Sequence, residues 1–341
     1  MSGVGVKTAI ASLLLFGALP SGAVLAQMPL EVPFEIRGGD RAMRDEADRL
    51  LRLGAQQRRL GNLQKAIDLW LQALELYRQA GDRNSMGLTY EYLGITYADM
   101  GRDREAEDSL RRRLAIARDL QDFQGQIYSL NNVGTVLMQQ GLLQDAKASF
   151  AEAFEIADNL DNTEGKGLSM SNLGLVAMEM GEVPEAIVRY EEALIWRREV
   201  DDPKGEATTL NHLGEAYWAL GDYPNAIGTY GAALQIAQQS YDRENHLRAI
   251  DGLVEAHTAV ARYARAFELL EQRLAISREQ QDPRQSLQTL SLYAQTYANL
   301  GDFDRAEIFY RQAIELARRL QDPRTESKLI NQLSQLLYEL Q

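Results

Sequence analysis

Residues 211–226 read NHLGEAYWALGDYPNA, and the pattern of this stretch returns along the chain in one register. Its Gly221 has counterparts at Gly61, Gly101, Gly141, Gly181, Ala261 and Gly301, forty residues apart. Five residues on, Ala226 has counterparts at Ala66, Ala106, Ala146, Ala186, Ala266 and Ala306. No insertion or deletion breaks the spacing. The chain is an array of one unit, and in such arrays neighbours bury one another without a central core.

Each unit holds two helices, for example 84–100 and 103–120. Glycine just past a helix end is a C-cap, because it takes a positive φ without steric cost. Asp222 and Asp302 follow that glycine and suit the N-cap of the next helix. The other end of the unit carries Asp82, Asp122, Asn162, Asp202, Asp242, Asp282 and Asp322, with Pro203, Pro283 and Pro323 after three of them. Asp or Asn at the N-cap followed by Pro is a helix start.

Apolar residues keep the helical period: Ala186, Tyr190, Ala193 and Leu194 form one stripe, which Arg197 ends. Ala73, Ala153, Ala193, Ala233 and Ala313 make a small-residue column, beside a column of Trp70, Leu110, Phe150, Tyr190, Tyr230, Leu270 and Tyr310. Small against large is what interdigitated helices need. Arg113 and Arg273 stand in the small column, where their heads are expected to snorkel to water.

The first helix of the unit shows Leu93-Gly94 with Tyr97, Val133-Gly134, Leu173-Gly174, Leu213-Gly214 with Tyr217, and Tyr297. Followed by the Ala, large residue and Ala columns, this pattern resembles the tetratricopeptide repeat over about residues 44–341. The resemblance implies an all-α, right-handed superhelical α-solenoid of about seven hairpins, spanning 44–323, closed by a C-terminal capping helix at 324–341. That helix offers Lys328, Gln332, Gln335 and Glu339 for a polar outer side. The sixth unit departs from the pattern, with Val254 and Ala261 at the glycine positions and His257 where neighbours have Tyr.

Residues 1–26 read as a secretory signal peptide. Lys7 is their only charge, Ala9 to Leu19 are apolar, and Val24 and Ala26 place small residues before a cleavage point at Gln27. An uncleaved anchor is the alternative, since 8–26 approaches a membrane span; Pro20 and Gly22 favour cleavage. Residues 27–43, with Pro29, Pro33 and Gly38-Gly39, read as an extended leader. Periplasm is the expected compartment, and a lumen or the extracellular space fits the same signal. The mature chain is not expected to insert in a membrane.

The net charge of −13 over 341 residues argues against nucleic acid and anionic membranes. With no cysteine there is no disulfide, thiol catalysis or lipobox. His212, His246 and His257 form no metal motif, and no nucleophile elbow or phosphate loop is present. Carboxylates are expected on solvated helix faces. No enzyme activity, metal or cofactor is expected, and His257 reads as a satisfied core residue.

What remains is a groove. In the family the first helices line the concave face, which here places Glu91, Asn131, Asn132, Asn172, Asn211, His212, Glu215, Trp218, Asp251 and Glu255 as candidate partner-binding residues. Family members use an Asn in this region to hold a peptide backbone; asparagines that bridge adjacent hairpins are the equal alternative. Met138, Met178 and Trp218 read as a groove floor or as core. Apart from Arg248 and Lys328 the groove columns lack cations, unlike the family's carboxylate clamps, so a neutral or basic peptide or amphipathic segment is the expected partner. The function expected is an exported protein-interaction scaffold. A sensor or regulatory subunit of a separate effector is the alternative, and a glycan or lipid binder a third. The oligomeric state is open.

Overall fold

The computed structural model describes residues 41–280 and 282–339. The signal assigned to 1–26 and leader residues 27–40 lie outside the described residues. Among the described residues there are helices and no strand: α1 (Arg41–Arg59), α2 (Leu63–Gln79), α3 (Arg83–Asp99), α4 (Asp103–Asp119), α5 (Phe123–Gln139), α6 (Leu143–Asn159), α7 (Thr163–Glu179), α8 (Val183–Glu199), α9 (Pro203–Ala219), α10 (Tyr223–Gln239), α11 (Arg243–Ala259), α12 (Tyr263–Gln280), α13 (Pro283–Leu300), α14 (Phe303–Arg319) and α15 (Pro323–Glu339). Helix α1 starts at Arg41, three residues before the periodic pattern suggests, so 41–43 belong to it and not to the leader.

One left-handed residue sets each turn within a hairpin: Gly61 at φ 78°, Gly101 at 69° and their counterparts, with Ala261 at 57° in the sixth unit. The turns between hairpins are left-handed too, at Gly81 and at Gln121, Asp161, Asp201, Tyr241 and Gln321. The Asp or Asn that follows caps the next helix. Asp122 and Asp202 each accept from a backbone N–H three residues on at 2.8 Å, and Asn162 does so at 2.7 Å.

Packing explains the Leu-Gly pattern. A Cβ on Gly134 would lie 2.5 Å from the Phe150 ring, and one on Gly174 2.6 Å from Tyr190. The bare backbone of a first helix therefore seats the large residue of its own second helix. In the sixth unit Val254 meets the smaller Leu270 within one cluster, and Gly252 takes up the yielding role against the Tyr230 ring.

First helices also touch one another across hairpins, as α3 with α5, α5 with α7, α7 with α9, α9 with α11 and α11 with α13. No pair of second helices approaches comparably. The first helices thus form the tighter layer, and a solenoid packed this way curves with them on its inner side.

The arginines of the small column do not snorkel. Arg113 and Arg273 are 6% and 1% exposed. Arg113 donates to Asp122 at 2.8 Å with Glu91 at 3.6 Å. Arg273 donates to Asp251, to the Gln285 carbonyl at 2.8 Å and to Thr289 at 2.7 Å. A buried guanidinium is tolerated where a carboxylate and further acceptors take up its five donors. The expectation that carboxylates sit on solvated faces fails at Glu91, which is buried beside Arg113.

Helix α15 is built as the first helix of a further unit. Leu329, Leu333 and Leu336 pack on α14 with Ala313 and Ala317. Lys328 and Gln335 are exposed and Gln332 half-buried; the Glu339 side chain lies outside the described residues. The outer side is not wholly polar, since Ile330 and Tyr338 are 40% and 80% exposed.

Candidate functional site

The candidate residues stand on the first helices and fall into two groups by burial. The first is buried. Asn131 and Asn211 are 1% and 0% exposed. The Asn131 amide donates to the Ile127 carbonyl and to Ser169, both at 2.9 Å, while its oxygen accepts from Asn172 at 2.8 Å. The Asn211 amide donates to Asn245, at 3.2 Å to its carbonyl and 3.1 Å to its side chain. These asparagines tie consecutive hairpins together, the second of the two roles expected for them. Asn132 is also buried, and Glu91 faces Arg113.

His212 belongs to this buried group, 3% exposed, with its ring 5.7 Å from that of Tyr190. Among the described residues neither ring nitrogen has a hydrogen-bond partner, nor does the Tyr190 hydroxyl. Burial, then the nearby Arg248, holds the imidazolium pKa well below its usual range, so the ring is neutral. Burial likewise pushes the Tyr190 phenol up. His257 is buried, as expected of a core residue, and among the described residues its Nδ1 has no hydrogen-bond partner.

The second group is accessible: Asn172, Glu215, Trp218, Asp251 and Glu255. Trp218 is 40% exposed and lies one turn after Glu215 on α9. Arg248 donates to Glu215 Oε1 from Nε at 3.0 Å and from Nη2 at 2.8 Å. Asp251 is held by Arg273. Glu255 is open to solvent yet stands where protein crowds it from several helices. Loss of surrounding water, then Asp251 and Glu215, pushes its carboxyl up to about 7, with Lys328 pulling the other way. Glu179 is raised for the same reasons, burial first and Glu215 second.

The accessible face is therefore charged over α9, α11 and α15, while the stretch over α5 is buried from Gly125 to Met138. Met138 is core, and Met178 is half-buried. At the other end a cleft gathers Arg58, Trp70, Tyr92 and Asp99. Trp70 and Tyr92 stack at 5.3 Å, and Arg58 pairs with Asp99 at 2.9 Å. Arg58 shares the Trp218 column, so the groove has one more cation than the sequence columns gave it. Among the described residues no group of three His, Asp or Glu is placed to hold a metal, and no helix is long and apolar enough to cross a membrane.

Arg273, and the tie between it and Asp251, were not read as part of the face, though a signal was present. Glu91 and Asp251 are the two acids of their column, and the residues 22 positions on, Arg113 and Arg273, are the two arginines of theirs.

A family model described as tetratricopeptide repeat matches residues 46–119, 126–194, 166–227 and 205–279, and a second with that description matches 287–319. No curated protein matches the chain in sequence. Among solved structures, the apo form of RapI superposes with a TM-score of 0.61 at 17% identity, covering 81% of this chain and 99% of that one. The Rap conjugation gene regulator of plasmid pLS20, solved in complex with a Phr peptide, gives 0.58 at 20% identity over 80% and 73%. A signal transduction ATPase with numerous domains and a tetratricopeptide repeat sensor, from Pyrococcus horikoshii, gives 0.63 at 17% identity over 86% of this chain but 44% of that one. At these identities the likeness is one of fold.

Proposed function

Because the chain belongs to the tetratricopeptide repeat family, we propose that it is an exported scaffold whose inner face binds a peptide or helical segment of another protein. The observation that carries the reading is the accessible row on consecutive first helices: Asn172, Glu215, Trp218 and Glu255. It offers an amide, an indole and carboxylates on three successive first helices, each on a rigid helix. Pre-placed groups of this kind reduce the ordering cost of binding an extended segment. The pLS20 Rap regulator, with the same fold, is described in complex with a peptide. The acidic groove favours a neutral or basic segment over an acidic one. No reaction is assigned to the chain.

Export rests on the reading of residues 1–26. A mature protein beginning at Gln27, by mass spectrometry, supports it; an intact chain from Met1 overturns it. Binding is tested by affinity capture from the exported fraction with wild type and with Asn172→Ala/Trp218→Ala, a pair of accessible residues. A protein retained by wild type and lost by the variant supports the inner face. Equal retention moves the site elsewhere on the array. A second reading, a sensor subunit acting on a separate effector, is favoured by the Pyrococcus protein, in which such an array is called the sensor. It predicts that the captured protein changes its activity on binding.

A further inference from the structure

We infer that the inner face at α9 and α11 holds a receptor for one cationic side chain, a lysine or arginine of the bound polypeptide, formed by Glu215 and Glu255 close to the buried, neutral His212. The inference rests on the scaffold reading and gives that surface a chemical specificity.

Three observations converge on it. Arg248 places both of its bonds on Glu215 Oε1, and Oε2 makes no hydrogen bond among the described residues, although 41% of the side-chain area is open. Glu255, one unit on in the same column, is exposed and makes no ion pair among them. Two carboxylate groups thus face the groove with unspent acceptors. Asp251, saturated by Arg273, adds negative potential there without being available itself.

The second observation is independent of the acids. His212 and the Tyr190 hydroxyl are buried with no partner, and both lie within electrostatic reach of Arg248, the Glu215 partner. Buried polar groups in folded proteins are nearly always bonded, so a pair of this kind marks a place where a ligand or water completes the set. Close to Arg248, the neutral imidazole adds no positive charge that would repel a docked cation. Third, Trp218 lies one turn beyond Glu215, where its ring can lie against the alkyl stem or the charge of a cationic side chain.

The charges facing Glu255 decide how the receptor responds to pH. They are Glu215 on α9, the Tyr230 phenol on α10, Arg248 and Asp251 on α11, Arg273 on α12 and Lys328 on α15; α13 brings the uncharged Gln295 into the same column. Arg248 and Arg273 are committed to Glu215 and Asp251, and Lys328 lowers the Glu255 carboxyl by less than burial, Asp251 and Glu215 each raise it. A cation needs that carboxylate ionised, so docking below about pH 7 expels a proton, and affinity rises from pH 6 to pH 8.

The test uses N-acetylated, C-amidated dodecapeptides selected from a random display library on the wild-type protein. Selected peptides are expected to share one lysine or arginine. Replacing it by norleucine, or making Glu255→Gln, should each weaken binding roughly tenfold at pH 8, not additively. Wild-type affinity should rise roughly tenfold between pH 6 and pH 8 as a carboxyl near 7 ionises, and the Gln variant should stay flat. Glutamine at this column is native to the fold, as Gln295 shows. Glu155→Gln, an exposed acid on α6, should leave affinity unchanged. Selected peptides without a shared cation, an unaffected Glu255→Gln, or equal loss in Glu155→Gln overturns the receptor and leaves the scaffold standing. Failure to select any peptide overturns both.

Discussion

Arg273→Ala is the substitution whose cost the structure defines most sharply, because the array contains its own control. The Arg273 side chain is buried and donates to Asp251, to the Gln285 carbonyl and side chain, and to Thr289. Its removal leaves the Asp251 carboxylate in place without its donor, while the Gln285 carbonyl keeps the Thr289 hydroxyl. Breaking a buried pair by one partner costs about 3–5 kcal/mol. Asp251 keeps 23% of its side-chain area exposed, so water relieves part of this and the low end, about 3 kcal/mol, applies. Four other units hold Asn or Ser with Ala at these two positions: Asn131 with Ala153, Ser171 with Ala193, Asn211 with Ala233, and Ser291 with Ala313. Asp251→Asn/Arg273→Ala therefore installs a combination the unit already tolerates. It should recover about 2 kcal/mol, the residue being the volume of the missing arginine stem. Hydrogen exchange across α11–α13 at increasing urea is the suitable assay, since repeat arrays can open unit by unit. The single variant should lose least at acid pH, because burial already raises the Asp251 pKa and protonation removes the orphaned charge. A double variant as unstable as Arg273→Ala, or a single variant within about 1 kcal/mol of wild type, refutes the reasoning.

Three further outcomes follow from the same geometry. Ala261→Gly should stabilise the array by about 1 kcal/mol, read as a higher urea midpoint, because Ala261 holds a left-handed φ of 57° that glycine adopts without strain; no gain would mean the turn relaxes in solution. Gly174→Ala should cost about 1–3 kcal/mol by the same measurement, since its Cβ would lie 2.6 Å from the Tyr190 ring, whereas Gly228→Ala, with open space around it, should not destabilise. Glu255 holds its proton to about pH 7 when folded and to 4.5 in its ordinary state, so its contribution is present at acid pH and is lost as pH rises through that interval. His212, kept neutral by burial, works in the opposite direction below pH 6.5. Stability profiles of wild type and Glu255→Gln should diverge between pH 5 and 7, with the shallower decline in the variant; parallel profiles would count against the raised carboxyl.

The period, both kinds of capping residue and the glycine–aromatic match were legible because each is a local rule that returns from unit to unit. The left-handed turns between hairpins were not. Five of the six non-glycine residues with positive φ lie there, at Gln121, Asp161, Asp201, Tyr241 and Gln321, and nothing common to their side chains announces it; the N-cap that follows sets the backbone. The depth of the asparagine column was also hidden. Asn131 and Asn211 share a helix face with groove residues, yet contact between successive first helices covers them, and helical period alone does not say how tightly a solenoid coils. The buried arginine pairs were visible only as two departures 22 residues apart, each of which looks like drift until both are read together.

That first helices touch across units while second helices do not has a mechanical consequence. Every long-range contact joins near neighbours, so tension on the two ends would be carried by one seam after another along the inner edge. Opening such a seam would shear the asparagine ties and leave each hairpin whole. The chain should behave as a spring with a soft regime before any helix unwinds, and a stretched coil would present a straighter inner face than a relaxed one.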